Sequence, residues 1–199
     1  GDKVAAVIIE PKLQGAGGMI VWPSASLVEI RDLCDRHGTI LLADEVFTGF
    51  GRTGPLFACE HGPIVPDIIC LSKALTAGYM PLAATLSTDE IYDSFLSEDR
   101  GKTFFHGHSY TANALACAIA LENLNIFEEE NILSKIARIE ELFTERLSRL
   151  EGMPAVSNTR CVGTLAALDV ASTNTGGGYL DSIGPKLHAE FLDRDILLR

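Results

Sequence analysis

Leu41 to Gly54 reads LLADEVFTGFGRTG: an apolar run that stops at two adjacent carboxylates, Asp44 and Glu45, and gives way to a glycine-broken loop. A carboxylate at the end of a buried strand is costly unless something cationic meets it. The stretch therefore poses two questions: which sheet the strand belongs to, and what the acid faces.

Upstream, VAAVII at 4–9 is a continuous apolar, β-branched run, the pattern of a strand buried on both faces of a parallel sheet. A glycine-rich turn, QGAGGM, follows it. Ser24-Ala25-Ser26 then offers N-caps to a helix whose Leu27, Ile30, Leu33 and Cys34 recur at helical spacing and whose Gly38 is placed as a stop. With a strand at 39–43, the order is strand, helix, strand, a unit that builds a parallel sheet.

Downstream, DIICL at 67–71 predicts a third strand, ending in Ser72 and Lys73, and LAATLST at 82–88 a fourth. Helical patterns cover 111–126 and 131–150, the second amphipathic with Ile132, Ile136, Ile139 and Leu142 on one side. A strand-like VGTLAALDV, a flexible TNTGGGY, a short helix near 181–193 and a closing ILLR strand complete the chain. The predicted class is α/β, a mostly parallel sheet flanked by helices, plus the start of a smaller α+β unit. The expected division is 1–127 for the large domain, 128–152 for a connecting helix and 153–199 for the small one.

The 199 residues are 47% hydrophobic and 22% charged, the range of ordinary globular proteins. Sixteen basic against 27 acidic residues give a net charge of -11 with no Lys/Arg cluster, which argues against a nucleic-acid partner. Cysteines at 34, 59, 70, 117 and 161 form no CxxC pair and are odd in number, fitting reduced thiols and a cytoplasmic setting. The apolar runs are too short to span a bilayer. The chain begins at Gly1-Asp2 and closes inside a strand, so it is expected to be an internal piece of a longer protein.

Ligands of open α/β sheets bind beyond the carboxyl ends of the strands. Asp44 sits at one such end and Lys73 at another, far enough apart in sequence for a crossover to return to the same edge. A structural salt bridge is the plain reading, but a buried ion pair contributes little net stability. The sharper reading is a pyridoxal phosphate site, in which the lysine amine takes the cofactor aldehyde and the acid keeps the pyridinium nitrogen protonated. His106 and His108 in HGHSY lack companion ligands, so no metal is expected. As a turn before a helix, Gly107, His108 and Ser109 supply N–H groups and a hydroxyl suited to an anion. QGAGGM has neither GxGxxG spacing nor a Walker lysine, and turn chemistry accounts for it.

The two runs LLADEVFTGFGRTG and PDIICLSKALTAG together resemble the signature of the class III (subgroup II) pyridoxal-phosphate aminotransferases. The resemblance implies fold type I, Lys73 as the Schiff-base lysine and Asp44 as the partner of the ring nitrogen. It implies further that His108 and Ser109 contact the cofactor phosphate of a neighbouring subunit, hence a homodimer with shared active sites. Gly107 would lie against substrate, Arg199 would fork onto a substrate carboxylate, and Arg52 is either another pocket residue or a structural brace of its loop.

Within the family, EPKLQGAGGM, GFGRTGPLFACEH and FFHGHSYTANALAC are similar to the biotin-synthesis branch, whose members take the amino group of S-adenosylmethionine to a keto acceptor, 8-amino-7-oxononanoate. Phe47 stands where many relatives carry Gln, which argues against the ornithine and acetylornithine branches. Glu10 and Glu45 match family positions, with supporting or structural duties expected. The rival readings are another class III transaminase acting on an ω-amino acid or diamine, a pyridoxal-dependent aminomutase, and a non-catalytic protein that keeps the fold.

Overall fold

A computed structural model describes residues 3–170 and 183–197 of the chain. In order, its elements are β1 (Ala6–Ile9), β2 (Leu13–Gln14), β3 (Ile20–Val21), α1 (Ser24–His37), β4 (Ile40–Asp44), β5 (Ile68–Leu71), β6 (Ala84–Ser87) and α2 (Asp89–Asp93). There follow α3 (Ala114–Glu129), α4 (Ile132–Ser148), β7 (Val156–Val162), β8 (Leu165–Val170) and α5 (Ile183–Leu192). The main sheet runs β1-β4-β5-β6, with the first three strands parallel and β6 antiparallel, flanked by helices as the sequence predicts.

The β1-α1-β4 unit forms as expected, Ala6 pairing with Ile40 and Ile9 with Ala43. Leu27 and Cys34 of α1 pack on Leu41 and Ala43 of β4, with Val7, Ile9 and Ile30 against the same cluster. Burial in β1 alternates rather than covering both faces, and Ile8 stands 63% exposed. The physical reason is pleating: Val7 and Ile9 point to the face that α1 covers, while Ala6 and Ile8 point to the other face. Leu33 is likewise exposed, because only positions 27, 30 and 34 face the sheet.

The start of α1 differs from expectation. Pro23, at φ -57 and ψ 136, holds the N-cap position with no side-chain cap, and the Ser24 hydroxyl instead accepts Lys12 Nζ at 3.2 Å. Gly38 ends the helix in the left-handed region as predicted. At the amino ends of β4 and β5, Asp67 Oδ2 accepts the Leu41 N–H at 2.7 Å and Arg31 Nη1 at 2.9 Å. Burial opposes ionisation of Asp67, but those donors hold its carboxyl below the usual carboxylate range.

The expected strand VGTLAALDV is in fact the turn and second arm of a hairpin, β7 pairing β8 across Gly163-Thr164. Its first arm, VSNTRCV, carries no apolar alternation and gains its order from β8 and α4. Gly163, at φ 56, lies flat on the GRTG loop: an added Cβ would stand 2.4 Å from Gly54 N and from Thr53 C. The Thr164 N–H donates to Arg52 O at 3.0 Å, clipping the hairpin tip to that loop.

Gly163→Ala should cost about 2–4 kcal/mol of unfolding free energy, from the clash and the left-handed backbone together. Gly152, at φ 85 with open space around it, offers the backbone contribution alone, about 1 kcal/mol in Gly152→Ala. Urea midpoints separate the two, and equal losses would show that the hairpin tip is not held against the loop.

Candidate active site

β4 and β5 bring their carboxyl ends side by side, Asp44 pairing in register with Cys70. Asp44 is half-buried, and its Oδ1 accepts the Val46 N–H at 3.1 Å, which turns the chain out of the strand. Strand alternation sends Glu45 the other way, into the interior. It is fully buried, with Oε1 accepting the Cys59 N–H at 2.8 Å and Oε2 the Thr48 hydroxyl. The two neighbouring acids thus do separate things: one stands at the strand end, the other ties Thr48, just before the GFGRTG loop, to the 3-10 turn Ala58–His61.

Lys73 leaves β5 into a second 3-10 turn, Lys73–Thr76, with its own φ at 46. Its side chain is exposed, and Nζ lies 5.2 Å from the centroid of the Phe47 ring. Arg52 reaches the same ring, its Cζ 6.0 Å from the centroid. Phe47, singled out in the sequence as a departure from many relatives, is therefore the surface over which both cations stand, a contact of about 0.5–1 kcal/mol where exposed.

The other edge of Phe47 touches Gly15, where an added Cβ would stand 2.7 Å from Phe47 Cδ1. Glu10 Oε2 accepts the Gly15 N–H at 2.8 Å, and Arg160 of β7 grips the same turn through Gly18 O at 2.6 Å and Met19 O at 2.7 Å. The QGAGGM turn thus borders the site, a placement that the sequence did not disclose. No local signal encodes it, since the grip comes from an arginine far along the chain. Glu10 acts as a brace.

The HGHSY segment lies apart from this cluster in the single chain. Residues 104–112 are exposed, and the turn is held by its own bonds: His108 Nδ1 accepts the Tyr110 N–H at 3.1 Å, and the Thr111 hydroxyl donates to His108 O. The Asn113 side chain then caps α3 through the Leu115 and Ala116 N–H groups. None of the described contacts joins Gly107, His108 or Ser109 to Asp44, Lys73 or Phe47. Arg199 lies outside the described residues. Among the described residues no cluster of three or more metal-ligating side chains occurs.

A family model described as aminotransferase class-III matches residues 1–196. The chain belongs to the class-III aminotransferase family. The adenosylmethionine-8-amino-7-oxononanoate aminotransferase of Geobacter sulfurreducens is 46% identical over 201 residues, covering 99% of this chain and 44% of that protein. The protein of the same name from Nitratidesulfovibrio vulgaris is 48% identical over 204 residues, covering 100% and 38%.

Among solved structures, the Methanocaldococcus jannaschii aminotransferase of that name superposes with a TM-score of 0.89 at 38% identity, covering 98% of this chain and 46% of that one. An (S)-enantioselective omega-transaminase from Thermomicrobium roseum superposes with a TM-score of 0.90 at 36% identity, covering 100% and 44%. This class-III aminotransferase chain spans less than half the length of the curated relatives just named. No helix among its described residues is long and apolar enough to cross a membrane.

Proposed function

We propose that this class-III aminotransferase chain supplies the lysine and carboxylate of a pyridoxal phosphate site. The whole protein then moves an amino group from S-adenosylmethionine to 8-amino-7-oxononanoate, in biotin synthesis. The observation that carries the reading is the pair of adjacent strand ends, Asp44 closing β4 and Lys73 following β5, with the lysine amine over Phe47. The donor set fits the cofactor: an exposed amine suits an aldehyde, and a carboxylate one strand away suits a protonated ring nitrogen.

When bound, the cofactor supplies an aldehyde that holds the amino group and a ring that accepts the electron pair. Lys73 would hold the cofactor aldehyde through its amine, and its Nζ would carry the proton at the substrate α-carbon as general acid and base. Asp44 keeps the ring nitrogen protonated, which favours the electron-rich transition state. His108 and Ser109 serve the phosphate in a second copy of the chain, so the assembly is a homodimer with shared sites. Gly107, Arg52 and Arg199 line the substrate side. In this reading residues 1–127 belong to the cofactor-binding domain, 128–152 connect it, 153–199 begin a smaller domain, and the protein is cytoplasmic.

The relatives' names and Phe47 favour the biotin-branch substrates. The omega-transaminase neighbour supports a second reading, an ω-amino acid or amine donor. Full-length protein loaded with pyridoxal phosphate and offered S-adenosylmethionine, ornithine or a simple primary amine decides between them. Turnover of S-adenosylmethionine with 8-amino-7-oxononanoate is expected. Turnover of the amines without S-adenosylmethionine would overturn the substrate and leave the family chemistry standing.

A further inference from the structure

The turn that carries Lys73 is backbone held against its own preference. Lys73 at φ 46 and Ala77 at φ 49 put non-glycine residues in the left-handed region at both ends of a single 3-10 turn. Such a conformation persists only where its surroundings over-determine it. Some of the restraint is local: Ser72 Oγ donates to Leu82 O at 2.8 Å, and the Thr76 hydroxyl donates to Met80 O.

The rest comes from α3. Ala116, Ala120 and Asn123 form its buried stripe, two small residues that let the helix approach closely and one amide. Asn123 Nδ2 donates to Ala74 O at 2.9 Å and to Leu75 O at 3.2 Å. Asparagine is a poor interior helix residue, and burying its amide is unfavourable unless it is bonded, so helix formation alone does not explain it. The two carbonyls it reaches belong to the residues immediately after Lys73; Ala74 O also accepts the Ala77 N–H at 3.1 Å, so the amide adds a second bond there and a bond to Leu75 O.

The geometry points to Asn123 as the positioning residue of Lys73: its amide locks the turn so that the lysine amine emerges over Phe47 in reach of a cofactor aldehyde. Asn123 touches neither substrate nor cofactor in this account, which rests on Lys73 being the cofactor lysine as proposed above. A loosened turn leaves the amine present but spread over more positions, and covalent capture weakens accordingly.

The experiment uses the full-length protein with Asn123→Asp, which keeps the shape but sets a carboxylate oxygen against the two carbonyls in place of the donor, and Asn123→Ser, which keeps one donor and adds no charge. Ile64→Ala, in the core under α1, serves as a control for lost stability. Pyridoxal phosphate is titrated into each apoprotein by absorbance, then fixed with borohydride, and the labelled peptide is identified by mass. Asn123→Asp is expected to raise the apparent dissociation constant roughly tenfold, the scale of one buried carbonyl, that of Leu75, losing its donor. Asn123→Ser should raise it less, and kcat should fall in both with KM nearly unchanged.

Ile64→Ala, compared at matched loss of melting temperature, should bind as the native protein does. Native binding by the Asn123 variants, or equal loss in Ile64→Ala, would overturn the positioning role while leaving Lys73 assigned. A native protein that carries no label on Lys73 would overturn the site itself, and the positioning role with it.

Discussion

Lys73→Ala in the full-length protein should end covalent capture of pyridoxal phosphate and lower amino transfer at least about a thousandfold, because covalent attachment and proton transfer are lost together. Folding should hardly notice. The side chain is exposed, and its recorded contact is the Phe47 ring at 5.2 Å, worth about 0.5–1 kcal/mol. Lys73→Gly sharpens the expectation, since glycine accepts a φ of 46 without penalty and should melt at or above the native temperature while remaining inert. Activity and stability would then move in opposite directions at one position. Borohydride-fixed label persisting elsewhere in Lys73→Ala, with turnover retained, would refute the assignment.

The second large effect is on stability. Glu45→Ala should cost about 3–5 kcal/mol, because the Cys59 N–H and the Thr48 hydroxyl would be left buried without an acceptor beside a new void. Glu45→Gln keeps the shape, with the amide oxygen still able to accept from Cys59 and the amide nitrogen able to donate to Thr48, and should cost about 1 kcal/mol. Chemical unfolding of both variants measures the contrast. An unchanged urea midpoint in Glu45→Ala would mean that the GFGRTG loop is held by other contacts.

The parallel core was legible because its signal is local: β-branched runs, a helix at 3.6 spacing and a terminal glycine each name their own element. Asp44 and Lys73 were legible as a pair because strand order alone places their ends together. Glu45 was not, since one of its partners, Cys59, comes back through a loop whose path no periodicity describes. VSNTRCV was missed as a strand because its order is borrowed from a neighbour, with a register shift between Ser157 and Arg160 that breaks the alternation further. The QGAGGM turn was legible as a turn, but where it would lie was not. Its position against Phe47 depends on an arginine 141 residues away. Buried asparagine in an alanine-rich helix was the one unabsorbed signal, polar where the stripe asked for alanine.

Cys59 sits beneath the loop with 4% of its surface exposed, and burial, then the Glu45 carboxylate, push its thiol well above the ordinary range. Alkylation requires a reachable thiolate, so the folded loop is silent to the reagent. Each modification event must follow an excursion that lifts Cys59 away from Glu45, and at reagent concentrations where alkylation outpaces reclosing the labelling rate counts those excursions. The wall of the site therefore contains its own clock, readable peptide by peptide without altering Asp44 or Lys73.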